Sequence, residues 1–324
     1  MSTLDKIKIP VAKELDGFES FFRENAKSDV FLLNIIVNYV LRTKGKQIRP
    51  LFVFLSAKMH GEVNRSTYLA ATTIEMLHSA SLIHDDVVDE SYERRGSLSV
   101  NALWKNKIAV LIGDFLLAKG LLISTQAKEY DNLDIISTAM QEMIEGELLQ
   151  YNKSRKLDID EETYFEIIRK KTASLIGTSM AVGARSVTAD FEVINKMKEI
   201  GILAGLTFQI RDDIFDYQEK GVIGKPIGND IKEKKITLPL IYVLNHSTKS
   251  EKRKIINIVH HKNHRKEKVS ELIELVRQKG GLEYATEKMN YFRDEAIKLL
   301  GTFPVNDAGT SLIELIKYIS DRKK

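Results

Sequence analysis

Cysteine is absent from the 324 residues, which removes disulfides, thiol nucleophiles and thiolate zinc sites, and nothing favours an oxidising compartment. The cytoplasm is therefore the expected location. A dominant charge is lacking too: 49 Lys and Arg against 45 Asp and Glu leave a net +4, too near balance at this length to argue for a nucleic-acid partner. The basic stretch from Lys249 to Lys268 reads as a solvated surface. Long hydrophobic runs are also missing. Thr172 to Ala184 and Ile236 to Thr248, among the longest stretches free of Asp, Glu, Lys and Arg, have 13 residues each, whereas a bilayer takes roughly 20. No transmembrane helix is expected, and MSTLDKIKIPVAKELDGF contains no uninterrupted apolar core of a secretory signal.

Proline is scarce, occurring only at Pro10, Pro50, Pro226, Pro239 and Pro304, so no strong helix breaker interrupts the long interval from Pro50 to Pro226. That interval reads as helix after helix. Leu69, Ala70, Ile74, Leu77, Ser81 and Asp85 follow three- and four-residue steps behind a cap at Asn64 or Ser66. Further helices are expected over Val30–Arg42, Pro50–His60, Leu103–Lys128, Asp131–Tyr151, Glu161–Val182, Asp190–Tyr217 and Leu238–Asn245. No useful alternating strand pattern is present. With 43% hydrophobic residues and no Ser-, Gly- or Pro-rich linker, the chain reads as one all-α domain over 1–324. The polar stretch Gln218 to Lys235, holding Gly221, Gly224, Pro226 and Gly228, is a candidate lid over bound phosphate.

What the chain does have, twice, is an acidic pentad: Asp85, Asp86 and Asp89 in DDVVD, then Asp212, Asp213 and Asp216 in DDIFD. On a helix, positions i and i+4 share a face about 6 Å apart, which pairs Asp85 with Asp89 and Asp212 with Asp216. The first pentad closes a helix, where the dipole already places negative charge, so a cation is needed there. Mg²⁺ suits it, because that ion takes one or two carboxylates and completes its shell with water and substrate phosphate. Two such sets on nonadjacent helices of a bundle suggest a metal-bridged phosphate ester. Arg94 and Arg95 follow the first pentad, Lys225 and Lys235 follow the second, and Lys46 and Arg49 stand in GKQIRP, all basic groups that a diphosphate would find useful.

The segments GKQIRP (45–50), EMLHSASLIHDDVVDESYERRG (75–96), IGDFLLAKG (112–120), EGELLQ (145–150), KTASLIG (171–177), FQIRDDIFD (208–216) and GKPIGNDIKEKKITLPL (224–240) together resemble the trans-isoprenyl diphosphate synthases, most of all the long-chain polyprenyl type. The resemblance spans most of the chain. It implies the isoprenoid synthase fold, a helical bundle around a central cavity. It also implies condensation of an allylic diphosphate with isopentenyl diphosphate, and self-association into a homodimer through the apolar helices covering Leu103 to Tyr151. In such enzymes the carboxylates of Asp85, Asp89 and Asp212 are the principal ligands of three Mg²⁺ ions, with Asp86, Asp213 and Asp216 beside them. Arg94, Lys171 and Lys225 match positions that hold the allylic diphosphate. Lys46, Arg49, His78 and Arg95 match those that hold isopentenyl diphosphate; Lys235 is a weaker match to a substrate-binding position. Thr172 and Gln209 match positions whose oxygens lie near the developing carbocation. Lys44 and Lys234 depart from the common GGK and EGK patterns by replacing glycine.

Ser81 and Ala80 stand four and five residues before Asp85, where aromatic side chains limit product length in the resembled family. Both are small. From Ser66 to Asp85 the helix offers about 28 Å of path, room for six or seven isoprene units of roughly 4–5 Å each and hence a product near C35 to C40. Met140 and Met143 are candidate stoppers, though methionine at helical spacing more often fills a core. The alternatives are a medium-chain, geranylgeranyl-type synthase, a terpene cyclase and a noncatalytic subunit of a heteromeric synthase. A cyclase normally lacks the second diphosphate pocket that Lys46, Arg49, His78 and Arg95 suggest. A noncatalytic subunit would have lost site residues, and this chain has lost none. A His84-Asp85 phosphohydrolase needs further histidine ligands; His260, His261 and His264 have a spacing compatible with a metal but lie in a strongly basic stretch that reads as a solvated helix or loop. Peripheral membrane contact during product release is a further expectation.

Overall fold

The structure is a computed structural model that describes residues 2–43, 45–94, 96–156, 159–218 and 228–322, the side chains of 155 and 156 excepted. It is all-α, as the periodicity implies. In chain order come α1 (Thr3–Lys8), α2 (Ala12–Asn25), α3 (Phe31–Arg42), α4 (Ile48–His60), α5 (Arg65–Val88), α6 (Val100–Gln126) and α7 (Tyr130–Lys156). Next are α8 (Glu161–Ile168), a π-helical turn (Arg169–Ala173), α9 (Ser174–Arg185), α10 (Phe191–Phe215), the short α11 (Asn229–Lys232) and α12 (Leu238–Asn245). The remainder is α13 (Lys249–His261), α14 (Lys266–Gln278), α15 (Gly281–Leu300) and α16 (Asp307–Asp321). Between α5 and α6 a hairpin that no sequence alternation announced pairs β1 (Glu93–Arg94) antiparallel with β2 (Ser97–Leu98).

The chain divides into two compact units. The first comprises Met1–Met140, Ile176–Glu199 and Phe303–Leu315; the second comprises Gln141–Leu175, Ile200–Thr302 and Ile316–Lys324.

In the first unit α4 is apolar on every side, and Pro50 through Ala57 are all buried, the mark of a core helix. Phe18 and Tyr68 meet Phe54 edge-on, with ring centroids 5.7 and 5.1 Å away. Asn64 caps α5 by accepting from the Ser66 and Thr67 amides at 2.8 and 3.2 Å, which fixes where this 24-residue helix begins. Its other end lies hard against α6. A Cβ on Gly113 would sit 2.1 Å from His84 Nε2, so the glycine leaves the space that the His84 ring occupies between the helices.

Ser99 starts α6 three residues earlier than its apolar pattern suggests, by accepting from the Ala102 amide at 3.4 Å. Among the described residues α6 is the one helix long and apolar enough to cross a membrane, with mean hydropathy 1.9 and 39% of its apolar window buried. A search for charge-free stretches passes over it because Asp114 and Lys119 interrupt the run. One face packs along α5, while Leu111, Leu121 and Leu122 remain exposed.

The second unit is built on α12. Leu238, Pro239, Leu240, Ile241 and Val243 are all buried, and the four aliphatic ones share a cluster with Tyr164, Ile214, Tyr217, Ile255 and Leu272. Each such aliphatic side chain contributes about 1.5–3 kcal/mol over the exposed state.

Candidate active site

In the first unit the acidic residues end α5. Asp85 is half-buried and Asp89, the C-cap, is exposed, whereas Asp86 is only 3% exposed. The one-residue offset turns Asp86 about 100° away from the Asp85 face and onto Arg94 of β1. Arg94 Nε donates to its two oxygens at 2.8 and 3.0 Å, and a terminal guanidinium nitrogen lies 2.7 Å from Oδ1. The Asp86 carbonyl accepts from the Ser91 amide (2.9 Å) and Asn101 Nδ2 (3.1 Å). Asp86 thus ties together the helix end, the hairpin and the first turn of α6.

Arg49 Nη1 lies 2.8 Å from His78 Nε2. Because a guanidinium only donates, Nε2 accepts and the imidazole proton sits on Nδ1. Gln47, just outside α4, takes φ 52° and turns the chain sharply from Lys46 into the helix that carries Arg49. His78, Asp86, Arg94, Gln47 and Glu75 line a cleft of about 780 Å³. Ala80 is fully buried, and the half-buried Ser81 turns its hydroxyl back to the His78 carbonyl at 2.9 Å. Arg95 lies outside the described residues.

In the second unit the end of α10 carries the other set. Asp213, 4% exposed, accepts from Tyr164 Oη at 2.7 Å and Gln209 Nε2 at 2.8 Å. Thr172 Oγ1 in turn donates to Gln209 Oε1 at 2.8 Å. Asp216 caps the next turn, accepting the Asn229 and Asp230 amides at 2.9 Å each. Burial above all pushes these acids up. Asp213 reaches about 7, helped by Asp212 and Asp216 and opposed by its two hydrogen bonds. Asp230 reaches about 8, with Asp213 and Asp216 adding repulsion. Asp216 is raised by burial and lowered by its two amide partners.

Lys171, Thr172, Gln209, Asp213, Asp230 and Lys235 line one cavity of about 550 Å³. Five of these six are residues that the sequence motifs single out. Lys171 is steadied by Glu147 (2.5 Å) and by Gln150 (2.8 Å), both in EGELLQ. Lys235 lies 2.6 Å from Glu233. Lys225 is outside the described residues. Of the candidate lid, Asn229–Lys232 forms α11 and residues 219–227 fall outside the description.

The expected unbroken helix Glu161–Val182 is instead α8, a π-turn and α9. The π-turn carries Lys171 and Thr172, and the widened turn re-aims the side chains after it. Two glycines make room: a Cβ on Gly205 would stand 2.5 Å from Ala173 Cα, and one on Gly146 would stand 2.8 Å from the Lys171 amide. Sequence reading also passed over Tyr164 and Asp230. Asp230 could have been found from GNDIKEKK, a quoted motif that sets two acids, Asp230 and Glu233, among lysines. Nothing marks Tyr164, an aromatic residue on an otherwise apolar face.

A divalent cation suits this second set. The donors are hard carboxylate oxygens, and acids forced upward by burial and by one another gain from a cation among them. Among the described residues no three Asp, Glu or His side chains close into a ready metal cage.

The polyprenyl synthetase family profile matches residues 31–276. Heptaprenyl diphosphate synthase component 2 of Bacillus subtilis is 33% identical over 96% of this chain and 88% of its own. Octaprenyl diphosphate synthase of Escherichia coli is 32% identical over 99% of both. Geranylgeranyl diphosphate synthase of Saccharolobus solfataricus is 33% identical over 86% of this chain and 87% of its own. Among solved structures, a Caulobacter crescentus polyprenyl synthase complexed with calcium and isoprenyl diphosphate superposes with a TM-score of 0.91, at 29% identity and covering 99% and 98% of the two chains. With acid-rich helix ends, a lysine-lined cavity and matches of this extent, the chain belongs to the polyprenyl synthetase family of prenyltransferases.

Proposed function

We propose that the protein is a Mg²⁺-dependent, long-chain all-trans polyprenyl diphosphate synthase. It joins an allylic diphosphate such as farnesyl diphosphate to successive isopentenyl diphosphates, up to about C35–C40, with residues 1–324 working as one catalytic domain. The observation that carries this reading is the 550 Å³ cavity in which Lys171 and Lys235 accompany Asp213 and Asp230. Lysines beside buried acids suit a diphosphate that arrives with metal, since neither partner alone would neutralise both signs.

In this reading Asp85, Asp89 and Asp212 supply the principal carboxylates to three Mg²⁺ ions, with Asp213 and Asp216 behind them and Asp86 holding Arg94. Mg²⁺, when bound, supplies the positive charge that makes diphosphate a competent leaving group. Arg94, Lys171 and Lys225 grip the allylic diphosphate, and Lys235 adds charge of the same sign. Lys46, Arg49, His78 and Arg95 bind isopentenyl diphosphate. The allylic C–O bond breaks and its electron pair stays on the diphosphate. Thr172 and Gln209 turn oxygens toward the cation, the double bond of isopentenyl diphosphate attacks it, and the departed diphosphate accepts the proton that is lost.

Product length follows from α5, unbroken from Arg65 to Val88, and from the lack of bulk at Ala80 and Ser81. The geranylgeranyl-type relative, at 33% identity against 33% and 32% for the heptaprenyl and octaprenyl ones, keeps the medium-chain alternative in view. A second copy of the chain covers the exposed Leu111, Leu121 and Leu122 of α6. The component 2 relative makes the partner a point to test. The test is incubation of purified protein with farnesyl diphosphate, labelled isopentenyl diphosphate and Mg²⁺, followed by sizing of the dephosphorylated products. Prenyl alcohols near C35–C40 are expected. A product stopping at C20, a cyclised hydrocarbon, or silence until another polypeptide is added would each overturn the reading.

A further inference from the structure

Asp212 has a resident cation. Arg322, one residue beyond α16 and in the same unit, donates through Nη2 to Asp212 Oδ1. Its guanidinium carbon lies 4.2 Å from the Phe208 ring centroid and 5.8 Å from that of Phe215, so α10 offers it two aromatic faces on either side of the acid. The backbone is fixed as well. The Arg322 carbonyl accepts from Arg211 Nε (3.3 Å) and Nη2 (3.0 Å), and its amide bonds back to the Tyr318 carbonyl at 3.0 Å. Only 14% of the Arg322 side chain is exposed, against 43% for Asp212.

The pairing is nevertheless incomplete. No bidentate fork forms with Asp212, and Arg322 Nε is buried without a hydrogen-bond partner. An arginine placed for permanent structure would spend that donor, because leaving it orphaned is costly. The arrangement therefore holds an unsatisfied group that is relieved when the side chain leaves. An ammonium or guanidinium on Oδ1 also occupies the position that a metal approaching this oxygen would take.

We propose that Arg322 is a built-in counter-ion for Asp212 that Mg²⁺ displaces on binding, so that the C-terminal tail gates metal loading at the second acidic set. This rests on the reading of Asp212 as a metal ligand. In the ligand-free enzyme the guanidinium balances the acid, and Mg²⁺ binding carries the cost of removing it. The aromatic faces of Phe208 and Phe215 keep the cation nearby for its return.

Calorimetric titration of substrate-free protein with MgCl₂ tests this without turnover. Arg322→Gln should bind the first Mg²⁺ about tenfold more tightly than wild type, and Arg322→Lys should stay near wild type. Unchanged or weaker binding by Arg322→Gln overturns the proposal. Asp212→Asn in the same titration separates the two readings: if it leaves Mg²⁺ binding intact, the metal role of Asp212 itself fails, whereas weakened binding there with no change in Arg322→Gln defeats the gate alone. Should Arg322→Gln not fold, hydrogen exchange of the wild-type peptide 316–322 decides instead. Exchange should quicken when MgCl₂ is added, and protection that stays constant overturns the proposal.

Discussion

Replacing Asp213 by Asn should stabilise the metal-free protein above pH 7 while harming catalysis. The folded Asp213 carboxyl titrates near 7 rather than at its ordinary 3.8. Between about pH 4 and 7 the folded state therefore binds more protons than the unfolded one, and stability falls as pH rises through that window. A displacement of about three pH units corresponds to an upper bound of ~4 kcal/mol. Asp230 is raised in turn by repulsion from Asp213, so part of this cost belongs to the pair; about 2 kcal/mol is left for Asp213, or roughly 4 °C in Tm. Asparagine fits the hydrogen bonds if one of them reverses. With its oxygen still accepting from Gln209 Nε2, its amide nitrogen donates to Tyr164 Oη, and the Thr172–Gln209 bond is unchanged. Thermal unfolding of wild type and Asp213→Asn in EDTA at pH 5, 6, 7 and 8 would measure the effect. The variant should show a flatter decline and the higher Tm at pH 8. Parallel curves, or a variant less stable at pH 8, would refute the argument from buried charge.

Other perturbations reach other parts of the account. Gly205→Ala drives a methyl into Ala173 and should cost about 2 kcal/mol of stability, with a raised KM for the allylic substrate because the turn carrying Lys171 shifts; steady-state kinetics would reveal it. Ser81→Phe should shorten the product by several isoprene units on a thin-layer assay, and an unchanged length would remove α5 from the tunnel wall. Leu111→Glu, placing charge on the exposed face of α6, should convert a dimer into monomers by light scattering.

The helical core was readable because its signals are local. Asn64 announces the start of α5, apolar steps of three and four carry it to Asp85, and Leu238–Asn245 was delimited by Pro239 within an apolar run. Both acidic sets stood in plain view as repeated pentads. What stayed hidden depends on partners far away in sequence. The π-turn at Arg169–Ala173 has ordinary helix formers and exists where Gly146 and Gly205 admit its backbone. Asp86 looks like its neighbours until the hairpin brings Arg94 to it. Tyr164 becomes a polar anchor only when folding buries it beside Asp213, and Arg322 gains meaning only from meeting Asp212, 110 positions earlier.

Calorimetric titration with inorganic pyrophosphate tests most directly whether Lys171 and the acids around it receive a metal-borne diphosphate, as proposed. Binding should require Mg²⁺ and should weaken about tenfold in Lys171→Gln, the loss of one charge-assisted contact. Equal binding in EDTA, or a Lys171→Gln isotherm superimposable on that of the wild type, would contradict the account.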